Sequence, residues 1–365
     1  MEKIITPNKY IREEGILKNA GDLIAVLGKK VFILGGKTAL DKVKNDLNDG
    51  LKKSGISILK TVWYGGECSE KNIKNLTEEV LASGADVILG VGGGKALDTA
   101  KVVAYRTNLP VVTIPTLAST CAAWTPISIM YTDEGEFINI CYEAANPALV
   151  MVEPKIIAEA PVRYLTAGIG DTLAKWYEFE IAARNKEQDV ATVTGLAIAK
   201  LCTEILIQYG AAAKKAAEEK RVDFSLNQII DANIMLGGMV SGLGGADLRT
   251  AAAHAIYSGL TIIPELHEMY HGEIVAYGIL CQCALDKQSF EDVKNLIAFY
   301  QTVDLPINLT QMGLKDVQPE KLKTAAKLAT EIEDMRNVPF AVSPEMVYNA
   351  ILTADDWGNK FLAII

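Results

Sequence analysis

The sequence predicts an α/β N-terminal domain with a mostly parallel sheet, followed by an all-helical C-terminal domain. In the first half, apolar runs rich in β-branched residues alternate with amphipathic stretches, the pattern of strand-helix-strand units. After Pro161 the chain has helical spacing of Ala, Leu and Ile and almost no strand pattern. We therefore expect domains at residues 1–161 and 162–365, and a length of 365 residues also favours two cores.

The predicted strands of the first domain are short apolar runs that follow one another at the spacing of βαβ units. Residues 127–140 differ, because two β-branched runs flank Thr132-Asp133-Glu134-Gly135, and this pattern indicates a hairpin. The other strands are predicted at residues 30–34, 56–64, 85–93, 110–115 and 149–154.

Composition and charge narrow the range of partners. The formal charge of −9 gives no electrostatic reason to bind nucleic acid or an anionic membrane. The N-terminal stretch has no apolar leader pattern, and no later apolar run reaches the ~18 residues of a membrane span before a charge or Gly interrupts it. We expect a cytoplasmic homo-oligomer that acts on a small molecule.

The six cysteines are scattered through apolar segments, unlike the dense disulfide framework of a small secreted domain. We expect them to be reduced. Cys281 and Cys283 have the close spacing of a metal clip, but no second Cys pair accompanies them. Their place in an Ala/Leu-rich helical run favours core packing.

A glycine-rich loop stands where a predicted strand turns into a helix. Gly92, Gly93 and Gly94 would let the backbone approach a phosphate closely, and the following helix presents its N–H groups and positive dipole end. The spacing is neither GxGxxG nor GxxxxGK[ST]. Tight packing alone is the alternative, but Lys95 and Asp98 beside the loop favour a ligand.

These residues resemble the cofactor signature of the iron-containing alcohol dehydrogenases, most closely the glycerol dehydrogenase branch. The resemblance extends over nearly the whole chain, through IPTLAST, YTDEGEF, AGIGDTLAKW, AAAHAIYSGLT and YHGEIVAYG. It implies a dehydroquinate synthase-like fold and hydride transfer between NAD(P)(H) and a small alcohol or ketone. The cofactor contacts that it implies are Gly93, Gly94, Lys95, Asp98, Thr116, Ser119, Thr125, Ile127 and Tyr131.

The same resemblance implies that Asp171, His254 and His271 bind one divalent metal ion and form the catalytic group, with His254 also facing the substrate. One carboxylate and two imidazoles suit catalytic Zn²⁺, which we prefer, or Fe²⁺. Bound metal would polarise the alcohol oxygen and favour hydride loss to the nicotinamide. Taken alone, Asp171 is equally a helix N-cap and His254 a core histidine.

Three other functions are weighed against this one. His267-Glu268-Met269-Tyr270-His271 matches the zinc peptidase motif HExxH, which needs both histidines on one helix, whereas the sequence predicts a helix that begins near His271. A 3-dehydroquinate synthase would need several cations near the site, and the nearby segments offer chiefly Arg249. A non-enzymatic dinucleotide sensor would not need all three presumed metal ligands.

One departure from the glycerol dehydrogenase pattern concerns the substrate. Cys121 stands where those enzymes carry an Asp that binds substrate hydroxyls. A neutral thiol removes an acceptor for a polyol and a repulsion against an acid, so we expect a 2-hydroxycarboxylate or 2-oxo acid. Glycerol or a related vicinal diol is the alternative. The simpler interpretation of Cys121 and Trp124 is a repacked wall.

A second departure follows the first predicted strand, where NAD enzymes place a carboxylate for the adenosine ribose. Here the chain reads Gly35-Gly36-Lys37-Thr38. Loss of the acid and gain of a cation would admit a 2′-phosphate, so we expect NADP(H), or use of both NADP(H) and NAD(H), with contacts from Gly36 and Lys37. A solvated surface lysine is the alternative for Lys37.

Overall fold

The computed structural model describes residues 6–142 and 146–364. Contacts divide the chain into two compact units. Unit 1 comprises Met1–Pro161 with Ala216–Asp223, and unit 2 comprises Val162–Lys215 with Phe224–Ile365. The first five residues, part of the stretch on which the expectation of no leader rests, lie outside the described residues.

Unit 1 is built on a six-stranded sheet in the order β1-β8-β5-β4-β2-β3, and every paired neighbour runs parallel. Its central strands are almost wholly buried, as expected where helices cover both faces. The strands are β1 (Tyr10–Arg12), β2 (Lys30–Gly35), β3 (Ser57–Trp63), β4 (Val87–Gly92), β5 (Val111–Pro115) and β8 (Leu149–Val152).

The two faces of this sheet pack into separate cores because successive side chains of a strand point to opposite sides. In β2, Val31 and Ile33 join one apolar cluster, while Phe32 and Leu34 join the other. The helices of unit 1 are α1 (Ala20–Ile24), α2 (Lys37–Lys53), α3 (Glu70–Ser83), α4 (Gly94–Thr107) and α5 (Pro154–Glu159), with a 3-10 turn at Ile16–Asn19.

The predicted hairpin is confirmed. Strands β6 (Ile127–Tyr131) and β7 (Phe137–Tyr142) pair antiparallel, and Gly135 takes φ +91° in the connecting turn. The five runs predicted for the parallel sheet all form strands. The sequence missed β1, because its three residues are too few to show a pattern.

Among the described residues 162–364 the regular elements are all helices, so the predicted fold class is confirmed. A π-helical turn at Ala232–Leu236 joins α8 to α9, and 3-10 turns occur at Pro264–Leu266 and Glu333–Asn337. The α-helices are α6 (Val162–Ala183), α7 (Val190–Glu218), α8 (Phe224–Asp231), α9 (Gly237–Leu248), α10 (Ala252–Leu260), α11 (His271–Leu285), α12 (Phe290–Thr302), α13 (Pro319–Glu331) and α14 (Pro344–Ile364).

Two helical runs, Val190–Glu218 and Phe224–Leu248, are long and apolar enough to cross a membrane by length and composition. Both runs contain charged residues and glycines, which is why the sequence predicts no uninterrupted apolar stretch of this length. Core helices of soluble proteins have the same length and composition, so these two runs are weak evidence for a membrane span.

Candidate metal centre and cofactor loop

The three predicted metal ligands meet within unit 2. Oδ1 of Asp171, on α6, lies 3.3 Å from Nε2 of His254, on α10, and 3.3 Å from Nε2 of His271, the first residue of α11. One ligand atom from each residue lies within 4.8 Å of the others. In the part of the chain that the structure describes, these residues form the candidate metal-binding group.

Two glycines of α11 allow this meeting because they let its backbone approach both neighbouring helices. A Cβ on Gly272 would lie 2.6 Å from the carbonyl carbon of Ala167 on α6. A Cβ on Gly278 would lie 3.1 Å from the carbonyl carbon of Ala253 on α10. Distances this short exclude a larger residue unless the helices move apart.

Glu178 orients His254 from behind the ligand group. Its side chain is fully buried, and Oε2 lies 2.5 Å from Nδ1 of His254. Oε1 accepts hydrogen bonds from the amides of Ala251 at 2.7 Å and His254 at 2.9 Å. Because Nδ1–H donates to the carboxylate, Nε2 is the ring nitrogen that would give up its proton to a metal ion, and it faces Asp171 at 3.3 Å.

The charges around the group favour a cation. Burial lowers the pKa of His254, but Glu178 and Asp171 more than offset this and raise the pKa to about 9. Burial would raise the pKa of Asp171, yet Lys175 and the two histidines hold it well below its usual range. Asp171 therefore stays ionised. Lys175 Nζ lies 3.8 Å from Asp171 Oδ1, so the site also contains one fixed positive charge.

The donor set fits a divalent transition metal. One carboxylate oxygen and two imidazole nitrogens from three helices suit Zn²⁺ or Fe²⁺ and leave a coordination position for another oxygen. Tyr257 packs edge-on against His271, with ring centroids 4.3 Å apart, and so restricts the orientation of that ring. Asp171, His254 and His271 would hold the ion.

The structure does not meet the requirement of the HExxH motif that both histidines lie on one helix. His267 follows the 3-10 turn Pro264–Leu266, and its Nε2 lies 3.2 Å from the carbonyl oxygen of Thr261. His271 begins α11, as the sequence predicted. The two histidines of the motif therefore lie on different elements, and this arrangement is not that of a zinc peptidase.

The glycine-rich loop in unit 1 lies where β4 ends and α4 begins. Gly92 takes φ +146°, a backbone conformation in which a residue with a side chain would be strained. Gly93 is the N-cap of α4. Gly36 is the N-cap of α2, and its amide donates to the Val91 carbonyl at 3.2 Å. The N-termini of α2 and α4 thus lie side by side at the carboxyl ends of β2 and β4, where open parallel sheets bind nucleotides.

The two predicted cofactor lysines already contact neighbours. Lys37 Nζ lies 4.4 Å from the ring centroid of Trp63. Lys95 Nζ is 2.6 Å from Oε1 of Glu67 and 4.9 Å from the ring centroid of Tyr131. Tyr131 is itself a predicted cofactor contact, so the structure brings it together with Lys95.

Asp98 has a different surrounding from the one that the sequence suggested. Its carboxylate is buried, with Oδ1 2.9 Å from Nζ of Lys101 and Oδ2 accepting from the Ile129 amide at 3.0 Å. Burial raises the pKa of Asp98, while Lys101 and the Ile129 amide act in the opposite direction. These contacts hold α4 against the start of the hairpin.

The remaining predicted residues follow β5 and line the path to β6. Thr116 is buried, and its amide donates to the Gly92 carbonyl at 3.1 Å, next to the glycine loop. Ser119 is half-buried. The carbonyls of Thr125 and Ile127 accept hydrogen bonds from Lys101 at 3.0 and 2.5 Å.

Cys121 is half-buried and begins a turn, since its carbonyl accepts from the amides of Trp124 at 2.9 Å and Thr125 at 3.2 Å. Trp124 is buried and packs against Tyr10, with ring centroids 5.7 Å apart. Trp124 is therefore part of the packing of unit 1. None of the six cysteines, all of them described, forms a disulfide.

Sequence reasoning missed two residues, Glu178 and Lys101. Asp171, Lys175 and Glu178 are spaced i, i+4, i+7 on α6, which places three charged groups on one buried face. That spacing is a signal for Glu178. Lys101 gave a weaker signal, because Lys at i+3 from Asp98 is common on exposed helix faces.

Comparisons with known proteins agree with this geometry. Residues 7–154 match the family model described as iron-containing alcohol dehydrogenase. A glycerol dehydrogenase of Escherichia coli is 38% identical over 368 residues and 99% of each chain. A hydroxycarboxylate dehydrogenase A, also of Escherichia coli, is 37% identical over 94% of each chain. The crystal structure of glycerol dehydrogenase from Schizosaccharomyces pombe superposes with a TM-score of 0.92, at 30% identity over 100% of this chain and 93% of that one.

These relatives, together with the parallel sheet and the aspartate-dihistidine group, place the chain among the metal-dependent dehydrogenases of alcohols or polyols. The chain belongs to the iron-containing alcohol dehydrogenase family. Membership implies NAD(P) as the redox cofactor and a divalent metal ion. The recognised family and the enzyme class predicted from sequence are thereby confirmed.

Proposed function

We propose that the protein oxidises glycerol, or a closely related vicinal diol, to the corresponding hydroxyketone with NAD(P)⁺ and one divalent metal ion. The observation that carries the proposal is the meeting of Asp171, His254 and His271 in a chain 38% identical over its whole length to a glycerol dehydrogenase. The sequence favoured a 2-oxo acid on the strength of Cys121. The comparisons fit the diol alternative better, so the order of preference is reversed.

The metal that we propose is Zn²⁺, with Fe²⁺ as the alternative, and when bound it supplies Lewis acid polarisation of the alcohol oxygen. Asp171 supplies the anionic ligand, and Lys175 at 3.8 Å keeps that carboxylate ionised. Glu178 fixes His254 in the tautomer that presents Nε2. The buried positions of Asp171 and Glu178 keep these charges away from bulk water, where their fields would be screened.

The cofactor side of the proposal rests on unit 1. The N-termini of α2 and α4 offer backbone amides to a pyrophosphate. Lys95, which pairs with Glu67 at 2.6 Å, lies in the first turn of α4 beside them. Lys37 begins α2, directly after Gly36, where a 2′-phosphate would need a cation. The segment Gly35-Gly36-Lys37-Thr38 at the end of β2 has no carboxylate for the ribose hydroxyls. These features support NADP(H) use, alone or alongside NAD(H).

A 2-hydroxy acid is the second candidate substrate. The observation that favours it is Cys121, a neutral residue where the glycerol dehydrogenase pattern has an acid, together with the 37% identity to a hydroxycarboxylate dehydrogenase. A neutral wall accepts a substrate carboxylate that an aspartate would repel.

The test is an absorbance assay at about 340 nm, where the reduced nicotinamide absorbs. Glycerol, 1,2-propanediol, 2-hydroxybutanoate and 2-oxobutanoate are each measured with NAD(H) and NADP(H). The proposal expects glycerol or 1,2-propanediol to give the highest kcat/KM. Higher kcat/KM for the acids would establish the second candidate, and no turnover with any of them would refute both.

A further inference from the structure

Lys101 is a buried lysine of unit 1, and the proposed function gives it no role. Its side chain is 2% exposed, and a buried ammonium is costly unless its charge and its N–H groups are satisfied. Nζ donates to the carbonyls of Ala122 at 2.9 Å, Thr125 at 3.0 Å and Ile127 at 2.5 Å. Asp98 Oδ1, 2.9 Å away, balances the charge.

All three carbonyls belong to one short stretch, residues 122–127, that runs from the β5–β6 connection to the first residue of β6. An ammonium has three N–H donors in a tetrahedral array, so three carbonyl acceptors fix where that stretch lies. Asp98 makes two further hydrogen bonds to the same stretch. Its Oδ2 accepts from the Ile129 amide, and its carbonyl accepts from Ser128 Oγ at 3.1 Å. The helix that starts at the glycine loop thus holds residues 122–129 in place.

This stretch contains Thr125 and Ile127, which the family resemblance implies as cofactor contacts, and adjoins Cys121, which the proposed function considers for the substrate. The carbonyls of Thr125 and Ile127 accept hydrogen bonds from Lys101. The Cys121 carbonyl closes the same turn by accepting from the amides of Trp124 and Thr125. A shift of the ammonium would move this turn relative to Gly93 and Gly94, because Lys101 lies on the helix that Gly93 caps.

We propose that Lys101 is a positioning residue that sets cofactor affinity and substrate selectivity by fixing the turn at Cys121–Ile127 relative to the glycine loop. The inference rests on the proposed function for the role of Cys121, and on the family resemblance for the roles of Thr125 and Ile127. The geometry of the turn does not depend on that function, so the two can fail separately.

The test compares Lys101→Met with wild type in the full-length, metal-loaded protein. Met keeps the length of the side chain and removes all N–H donors. The KM for NAD(P)⁺ and for glycerol should rise by about tenfold, and the ratio of kcat/KM for glycerol to that for 2-oxobutanoate should change by at least about threefold. A purely structural role would lower the active fraction, and hence kcat, but would leave both KM values and the ratio unchanged.

The matched control is Arg106→Met on the same helix. Arg106 pairs with Glu70 of α3 at 2.7 Å and makes no described contact with the turn. Loss of the Arg106–Glu70 pair tests whether weaker packing of α4 alone changes the kinetics. Because the turn keeps its bonds to Lys101, both KM values and the ratio of kcat/KM for the two substrates should stay at wild-type values.

Hydrogen exchange gives a readout that does not need turnover. The amides of Trp124 and Thr125 bond to the Cys121 carbonyl, so a loosened turn should exchange them at least about tenfold faster. Asp98→Asn keeps the side-chain volume and removes the balancing charge, and it should also accelerate these amides. This variant decides the outcome if Lys101→Met does not fold.

The inference is overturned if exchange and both KM values stay at wild type in Lys101→Met, or in Asp98→Asn when the first variant is insoluble. A wild-type protein that turns over no tested substrate would instead refute the proposed function. In that case faster exchange in the variants would still support the positioning of the turn by Lys101.

Discussion

Glu178 Oε2 lies 2.5 Å from Nδ1 of His254, and the second oxygen of the same carboxylate accepts two backbone amides. All of these groups are shielded from solvent, so the carboxylate has no water to replace its partners. Through this arrangement one buried anion fixes the ring of His254, the proposed metal ligand, together with the first turn of α10.

Glu178→Gln should therefore weaken metal binding. The carboxylate faces three N–H groups, the amides of Ala251 and His254 and Nδ1 of His254. A carboxamide has only one oxygen to accept from them, and its NH₂ group would face at least one of these donors. Zn²⁺ affinity, measured by competition with a chelating dye, should fall by about 10- to 100-fold. The control is Glu180→Gln on the same helix, whose carboxylate pairs with Arg184 at the surface and should leave the affinity unchanged. Wild-type affinity in Glu178→Gln would refute the orienting role.

Gly272→Ala should separate α6 from α11 and disrupt the metal site. The added Cβ would lie 2.6 Å from the Ala167 carbonyl carbon and 3.1 Å from the Asp171 amide nitrogen. Overpacking of this kind costs about 1–3 kcal/mol, which should lower Tm. Gly358→Ala is the control, because its Cβ would lie 2.7 Å from the carbonyl carbon of Ile307, away from the ligands.

Both glycine variants should melt earlier, but only Gly272→Ala should also lose Zn²⁺ from the purified protein. Metal content by elemental analysis distinguishes them. Equal metal content in the two variants would show that the helix crossing at Gly272 does not set the ligand geometry.

Much of the fold follows from the sequence because its signals are local. Each buried strand of the parallel sheet is a continuous apolar run, and the Thr132–Gly135 turn marks the hairpin. The start of α11 at His271 followed from Pro264 and Gly272. By contrast, β1 is a three-residue strand whose pairing with β8 is a long-range contact, which no local pattern encodes.

The site was predicted less completely. The family resemblance supplied Asp171, His254 and His271. The roles of Glu178 and Lys101 depend on their burial, which a sequence shows poorly. Asp98 looked like a ligand residue because it follows the glycine loop, yet the fold turns it toward Lys101 and Ile129. The sequence alone does not show that Lys101 is buried, because the three carbonyls that it binds lie more than 20 positions further along the chain.

Lys37→Asp should shift cofactor preference from NADP(H) toward NAD(H). A carboxylate there would accept the ribose hydroxyls and repel a 2′-phosphate, whereas Lys37 now lies over the Trp63 ring at the start of α2. The ratio of kcat/KM for the two cofactors should change by at least about tenfold. Lys44→Asp makes the same charge change on an exposed position of α2 and should leave the ratio unaltered. An unchanged ratio in both variants would show that Lys37 only packs on Trp63.

Cys121→Asp tests the substrate class. If the new carboxylate faces the substrate, kcat/KM for 2-oxobutanoate should fall by at least about tenfold, a cost of about 1.4 kcal/mol, because like charges repel in a partly desolvated site. Activity on glycerol should hold or rise, since the carboxylate accepts its hydroxyls. Cys121→Asn, of similar size and no charge, is the control. Equal losses on both substrates would indicate a packing defect, and unchanged turnover of the acid would place Cys121 away from the substrate.

The central claim is that Asp171, His254 and His271 hold one catalytic divalent ion for glycerol oxidation. The most direct measurement is the initial rate of glycerol-dependent NAD(P)⁺ reduction as Zn²⁺, or Fe²⁺ without oxygen, is added to chelator-stripped protein. The account predicts no activity at the start, a linear rise that breaks at about one equivalent of metal, and no rise in His254→Ala. Full activity in the stripped protein, or an undiminished rise in His254→Ala, would contradict it.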